Sequence, residues 1–135
     1  MGTPRTVLAF DFGRRRIGVA VGQEVTRTAE ALSTIAVRDD RPDWAAITAV
    51  VETWRPDLFV LGRPRNADGG ATALDAALAR FARRLEGRYG RRVSFVDERL
   101  SSYAAGAAPC PGRGGLDAAA ARVILETWFA ENAAP

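Results

Sequence analysis

The stretch VLAFDFG (Val7–Gly13) decides how this chain of 135 residues folds. It is a short apolar run interrupted by one acidic residue, Asp11, and it predicts a buried central β-strand. RIGVAVG (Arg16–Gly22) follows a run of arginines and predicts a second strand, joined to the first by a tight antiparallel connection. The chain therefore begins with a β-hairpin that carries a carboxylate in its first strand.

Asp11 is the first candidate functional residue, because a carboxylate in a buried strand is destabilising unless it is paired or binds a metal ion. An ion pair with Arg14, Arg15 or Arg16 is the structural alternative. Gly13, two residues further on, favours ligation, since glycine lets a ligand or a phosphate approach the backbone closely. We expect Asp11 to bind metal.

Outward from the hairpin, the remaining segments with clear periodicity alternate between strands and helices. The predicted strands are EALSTIAV (Glu30–Val37), DLFVLG (Asp57–Gly62) and RVSFVDER (Arg92–Arg99). The predicted helices are one with Pro42 in its first turn that ends before Pro56, one over Thr72–Arg88, a short one at Ser102–Ala108 and a last one over Asp117–Glu131.

The connections between these segments indicate the fold class. Strands joined by hairpins run antiparallel, and strands reached through a helix lie parallel to the first. The sequence therefore predicts an α/β fold with a five-stranded mixed sheet, three strands antiparallel and two parallel, and helices on both faces. We expect residues 1–135 to form a single domain.

The composition excludes most catalytic chemistries. The chain has no histidine, its 19 basic residues are all arginine, and Cys110 is its one cysteine. These absences exclude catalytic triads, lysine Schiff bases, Walker A phosphate binding and zinc sites built from histidine or cysteine. Carboxylates must then carry any enzymatic chemistry, and they are hard oxygen ligands suited to Mg²⁺ or Mn²⁺.

Charge and cysteine usage indicate the partners and the compartment. A net charge of +3 permits a polyanionic partner, although a solvated basic surface explains it equally well. A single cysteine and the lack of a signal peptide favour a reducing cytoplasm. No apolar run is long enough to span a membrane.

Two further sites supply candidate carboxylates. Asp97 and Glu98 end a strand, and because adjacent residues point to opposite faces of a sheet, only one of them can face the side of Asp11. An ion pair with Arg99 is the alternative for this pair. Asp117 opens the last helix on the same stripe as its apolar residues, although aspartate is also a preferred helix N-cap. Asp11, Glu98 and Asp117 can converge on one spot, which suits hydrolysis of a phosphodiester with two metal ions.

Four segments, taken in order, resemble the motifs of the YqgF family, also called RuvX. They are DFGRRRIGVAV (Asp11–Val21), VLGRPRNADG (Val60–Gly69), VDERLSS (Val96–Ser102) and LDAAAARVILETW (Leu116–Trp128). The resemblance implies a ribonuclease H-like fold, a bacterial cytoplasmic location and processing of the 5′ end of pre-16S ribosomal RNA. It also implies that Asp11, Glu98 and Asp117 are the catalytic residues and the ligands of two Mg²⁺ or Mn²⁺ ions.

The resemblance suggests roles for other residues beside these motifs. Six arginines are candidates for binding substrate phosphates, with solvated surface charge as the alternative: Arg14, Arg15, Arg16, Arg63, Arg65 and Arg99. Four residues are candidates for accessory roles: Gly13, Asp68, Gly69 and Asp97. Relatives carry a longer basic segment where this chain has AAGAAPCPGRGGL (residues 104–116), whose one charged residue is Arg113. This departure predicts a weaker grip on substrate.

Three other functions remain open at this point. The first is a Holliday junction resolvase, which would need a dimer to place two sites on a symmetric DNA junction. The second is a nucleic-acid binding module that does not cleave. The third, an ATPase of the actin and sugar-kinase type, requires two such domains around the nucleotide. We expect a nucleic-acid partner, with pre-rRNA favoured over branched DNA, no membrane partner, and a monomer or weak homodimer.

Overall fold

A mixed β-sheet organises the computed structural model, which describes residues 5–13, 15–39, 41–63, 73–97 and 115–132. The strands of the described residues are β1 (Thr6–Phe12), β2 (Arg16–Gln23), β3 (Thr28–Arg38), β4 (Arg41–Pro42), β5 (Leu58–Arg63) and β6 (Arg92–Asp97). The helices of this part of the chain are α1 (Trp44–Trp54), α2 (Ala73–Tyr89) and α3 (Gly115–Glu131). The short helix predicted at Ser102–Ala108 lies outside the described residues.

The strand order is β4-β3-β2-β1-β5-β6. Neighbours from β4 to β1 are antiparallel, whereas β1, β5 and β6 run parallel to one another. This arrangement confirms the predicted mixed sheet. The parallel strands end together at one edge, which we call the carboxyl edge, and they begin at the opposite, amino edge.

The two-residue strand β4 was not predicted, so the described sheet has six strands where five were expected. It pairs Pro42 with Val37 at the margin of the sheet, where a residue without an N–H group is tolerated. The prediction that Pro42 lies in the first helical turn is therefore wrong. Helix α1 begins at Trp44, and the Asp43 side chain caps it by accepting a hydrogen bond of 3.2 Å from the backbone N–H of Ala46.

Helices α1 and α2 cover one face of the sheet. Alternate residues of the strands meet them in a buried core whose largest members include Leu8, Phe10, Ile17, Phe59 and Leu85. Phe81 of α2 packs edge-on against Phe10, with ring centroids 5.8 Å apart. Burial of these side chains stabilises this layer by about 1.5–3 kcal/mol each.

Helix α3 is the one helix of the described residues that covers the other face. Its buried residues Ala121, Ile124, Leu125 and Trp128 repeat at helical spacing, as the sequence predicted, and pack against residues of β1, β2, β5 and β6 such as Ala9. Small residues on both sides allow the helix to approach the strands closely. None of the described helices has both the length and the apolar content needed to cross a bilayer.

The amino edge is fixed by polar contacts. Arg5 donates hydrogen bonds of 2.6 and 3.1 Å to the Glu24 carboxylate, and this contact lowers the pKa of Glu24. The guanidinium of Arg5 also lies 5.9 Å from the ring centroid of Trp128 in α3. The backbone N–H of Thr6 donates to Asp57 at 2.9 Å. These contacts hold the start of β1 and the end of α3 at the same edge.

Helix α3 packs closely on β2 at Gly22. A Cβ atom at this position would lie 2.6 Å from the Thr28 carbonyl oxygen, 2.7 Å from Phe129 Cε2 and 2.8 Å from Leu125 Cδ2. We expect Gly22→Ala to lower the free energy of unfolding by about 1–3 kcal/mol, measured by urea denaturation, because backbone and helix must both shift.

Gly87→Ala is the matched control. A Cβ atom at Gly87, in the interior of α2, would meet no other atom within 4 Å. This variant should raise the free energy of unfolding by about 0.5–1 kcal/mol, because alanine loses less backbone entropy in a helix. Equal effects of the two substitutions would contradict the packing of α3 described here.

Candidate functional site

Asp11 lies near the carboxyl end of β1 and is half-buried. Along this strand Leu8 and Phe10 belong to the core under α1 and α2, whereas Val7 and Ala9 belong to the core under α3. Because side chains alternate between faces, Asp11 falls on the face of Val7 and Ala9. The carboxylate therefore lies on the side of the sheet that α3 covers.

Glycines occupy the positions beside Asp11 on both neighbouring strands. Gly18 of β2 is its direct partner in the antiparallel register. The parallel register pairs Phe10 with Leu61, so one further residue along the strands sets Asp11 beside Gly62. Glycine contributes no side chain at these two positions, which is typical of places where a ligand or another backbone approaches a strand closely. Sequence reasoning missed both residues, although a glycine inside an apolar strand is the signal that points to such a site.

Two of the predicted arginines lie on the β-hairpin beside Asp11. Arg16 is exposed, begins β2 and shares the face of Gly18, two residues further along the strand. Arg15, also exposed, lies in the connection. The packing of this turn explains the glycine at position 13, because a Cβ atom there would lie 2.7 Å from the Arg16 carbonyl oxygen. Arg14 lies outside the described residues.

Asp97 of β6 lies on the opposite face of the sheet from Asp11. Val96 is buried in the core under α3, so by alternation Phe95 and Asp97 fall on the face of α1 and α2. Asp97 is exposed and is the register partner of Arg63. The guanidinium of Arg63 lies 4.4 Å from the ring centroid of Phe95. Asp97 and Arg63 therefore reach the carboxyl edge from the side opposite to Asp11.

Helix α3 begins two residues before Asp117, which lies in its first turn. The alternative that Asp117 is the N-cap of this helix is therefore wrong. Its position is four residues before Ala121 and seven before Ile124, on the stripe that packs against the sheet. Its side chain lies outside the described part of the structure.

The register of α3 on the sheet can be followed from its C-terminal half. Leu125 and Phe129 lie over Gly22, whose partner on β1 is Val7. From that point Asp11 is about 13 Å along β1 at 3.3 Å per residue. Position 117 is about 12 Å along α3 at 1.5 Å per residue. With the end of α3 held at the amino edge, its first turn extends toward the edge where Asp11 lies.

Most of the remaining predicted site residues lie outside the described part of the chain. Within the described ranges no three acidic or cysteine side chains come together as a metal site, and Asp11 is the one predicted metal ligand whose side chain is described. Five predicted residues lie outside the described residues: Arg65, Asp68, Gly69, Glu98 and Arg99. Residues 104–114 of the shortened segment also lie outside them.

Comparison with known proteins establishes the family. The family model described as "RuvX: Holliday junction resolvase" matches residues 5–131. Proteins of Yersinia enterocolitica and Yersinia pestis named "Putative pre-16S rRNA nuclease" are each 46% identical, over 96% of this chain and 97% of theirs.

Solved structures share the fold. The Thermus thermophilus RuvC in complex with a Holliday junction substrate superimposes with a TM-score of 0.60 at 16% identity, over 94% of both chains. A second Thermus thermophilus RuvC structure gives 0.58 at 14% identity, over 93% of this chain and 95% of that one. The fold is thus ribonuclease H-like, as the resemblance implied, and the chain belongs to the RuvX family.

Proposed function

We propose that this chain is a metal-dependent endonuclease that hydrolyses phosphodiester bonds in structured RNA, with the 5′ end of pre-16S ribosomal RNA as its substrate. One observation carries the proposal: the half-buried carboxylate of Asp11 on a central strand, on the α3 face, between Gly18 and Gly62. A half-buried carboxylate with no side chains on the two flanking strand positions suits a cation. We take residues 1–135 as one catalytic domain.

The positions of the two other acids support the same site. Glu98 lies outside the described residues, and its assignment follows from sequence spacing: it comes two residues after buried Val96, the spacing of residues that share one face of an extended strand. Asp117 lies on the stripe of α3 that packs on this face. We therefore assign Asp11, Glu98 and Asp117 as the catalytic carboxylates and metal ligands.

The donor set fits hard divalent cations. Oxygen ligands from carboxylates suit Mg²⁺ or Mn²⁺, and the chain has no histidine and one cysteine to offer softer metals. Two such ions supply, when bound, positive charge that promotes deprotonation of the attacking water and stabilises the departing oxygen. The protein's share is to hold three carboxylates in a fixed geometry and to orient the scissile phosphate between them.

Arginines at the carboxyl edge are assigned to the substrate. Arg16 shares the face of Asp11, and its guanidinium can bind a phosphate through two parallel hydrogen bonds. Arg63 approaches the edge from the other face, stacked on Phe95, with exposed N–H groups. We assign the remaining motif arginines, Arg14, Arg15, Arg65 and Arg99, to the same phosphates. The choice of pre-rRNA follows the names of the Yersinia relatives, and such a substrate places the protein in the bacterial cytoplasm.

Replacing Asp11 is the first test. We expect Asp11→Asn to reduce Mg²⁺- or Mn²⁺-dependent cleavage of a pre-16S RNA transcript by at least about 10²–10³-fold, because a metal ligand is lost. The folded state should persist in a thermal melt, since asparagine has the same shape. Wild-type cleavage should also stop when EDTA removes divalent ions. Unchanged cleavage by the variant would refute the assignment of this residue.

The adjacent acids Asp97 and Glu98 provide a matched pair of variants. If alternation on β6 decides which carboxylate serves the site, Glu98→Gln should abolish cleavage while Asp97→Asn retains most of it. Both substitutions remove one negative charge from neighbouring positions, so a general electrostatic effect would reduce or raise both rates alike. Greater loss in the Asp97 variant would place the site on the opposite face of the sheet.

A Holliday junction resolvase is the second candidate, favoured by the description of the matching family model and by the fold shared with RuvC. RNA and DNA phosphodiesters need the same metal chemistry, so substrate preference and assembly discriminate between the two. Symmetric cleavage of a four-way DNA junction by a dimer would support the resolvase. Equal RNA binding in EDTA and Mn²⁺, with no cleavage of either substrate, would support a non-cleaving binding module.

A further inference from the structure

Helix α2 carries a stripe of exposed arginines along its outer side. They repeat at the spacing i, i+3, i+4 and i+8, which keeps them on one helical face. We call this set the α2 arginine stripe: Arg80, Arg83, Arg84 and Arg88. The buried residues of the same helix lie on the opposite side: Leu78, Phe81, Ala82 and Leu85. The stripe is thus directed away from the sheet.

The charges of the stripe are not offset within the described part of the chain. None of the four guanidinium groups forms an ion pair with a described carboxylate, whereas Arg122 of α3 pairs with Glu126 one turn on. Glu86 lies three residues after Arg83, but its carboxylate accepts a hydrogen bond from the backbone N–H of Val93. Like charges four residues apart repel, so the stripe lowers the stability of the helix. A binding role would explain why four arginines occupy this face.

One member of the stripe is already held in place. The guanidinium of Arg88 lies 4.2 Å from the ring centroid of Trp44, and that ring stacks on Phe81 with centroids 5.5 Å apart. A guanidinium stacked on an aromatic ring keeps its N–H groups available around its edge. Arg88 can therefore bind an anion with little further loss of side-chain entropy.

The dimensions of the stripe match a nucleic-acid backbone. From Arg80 to Arg88 the helix rises about 12 Å at 1.5 Å per residue. A span of this length is enough for the stripe to contact more than one successive phosphate of a single strand. Arginine binds phosphates through two parallel hydrogen bonds.

We propose that the α2 arginine stripe binds the sugar–phosphate backbone of the RNA substrate at a second site, separated from Asp11 by the sheet. Helix α2 follows β5, which ends at the carboxyl edge, so RNA bound at that edge can continue over the outer side of α2. The inference rests on the proposed function in taking RNA as the substrate. The stripe supplies affinity for long substrates and takes no part in cleavage.

The test compares two double variants with equal charge loss. Arg80→Gln/Arg84→Gln removes half of the stripe, and Arg27→Gln/Arg122→Gln removes two exposed arginines elsewhere. Each takes the net charge from +3 to +1, so general electrostatic attraction falls equally. Binding is measured in EDTA, which prevents cleavage, with a long labelled RNA hairpin bearing a 5′ single-stranded arm and with a short RNA limited to the cleavage region. Thermal melts confirm that both variants are folded.

We expect the stripe variant to bind the long RNA more weakly than the control variant does, whatever the RNA sequence. The slope of log Kd against log salt should fall by about 2, since each arginine removed should lower it by about 1. Binding of the short RNA should match that of the control variant. In cleavage assays the KM for long RNA should rise while kcat stays at the wild-type value.

The outcomes separate the two proposals. Equal binding and equal salt slopes for the two double variants would overturn the stripe proposal while the cleavage site stands. Stripe-dependent binding by a wild-type protein that never cleaves would overturn the proposed hydrolysis alone. Failure of the wild-type protein to bind RNA at all would overturn both.

Discussion

The alternation of side chains along β1 is the constraint on which the rest of the structure depends. It directs Leu8 and Phe10 into the core under α1 and α2, and it leaves Asp11 on the face of Val7 and Ala9. A shift of one residue would place the carboxylate in an aromatic core, where ionisation is unfavourable. The same alternation on β6 separates Asp97 from Val96. Facing the sheet from this side, α3 is the one described helix that can bring a further acid to Asp11.

The two faces of the sheet therefore have different properties. Among the described residues, the α3 face combines small residues, one close helix and an acidic residue between glycines, and it is the face on which we propose that cations and the scissile phosphate bind. The opposite face is built from large aromatic and aliphatic side chains under two helices, with arginines on the outer side of α2. In the function we propose, negative charge is concentrated where metal ions are needed, and positive charge lies where only the substrate backbone passes. Away from the cleavage site, this separation keeps the rest of the RNA backbone at a distance from the acids.

Much of this organisation could be predicted from the sequence. Apolar runs gave the principal strands, because burial on both faces of a central strand leaves few polar positions in it. The predicted apolar stripe of the last helix is buried at Ala121, Ile124, Leu125 and Trp128, whereas its first member, Ala120, is half-buried. The errors were local: Pro42 is in the marginal strand β4, and the last helix begins at Gly115, two residues before the predicted start at Asp117. Local sequence allows proline and aspartate at several neighbouring positions of a helix start, and tertiary pairing with Val37 decided between them in the first case.

By itself the sequence determined which chemical groups this protein has available, and its motifs indicated the family. In a chain with no histidine or lysine and one cysteine, carboxylates are the principal groups for acid–base chemistry and for binding metal ions, and Asp11 in an apolar strand is the first candidate among them. Only the tertiary structure decided what lies beside that carboxylate. Gly18 and Gly62 come next to Asp11 through strand register, which depends on hydrogen bonding between distant segments, so a glycine in either strand does not by itself reveal which residue lies beside it. The face on which each acid lies is likewise fixed when the sheet is covered by its helices, because burial then separates the two sides.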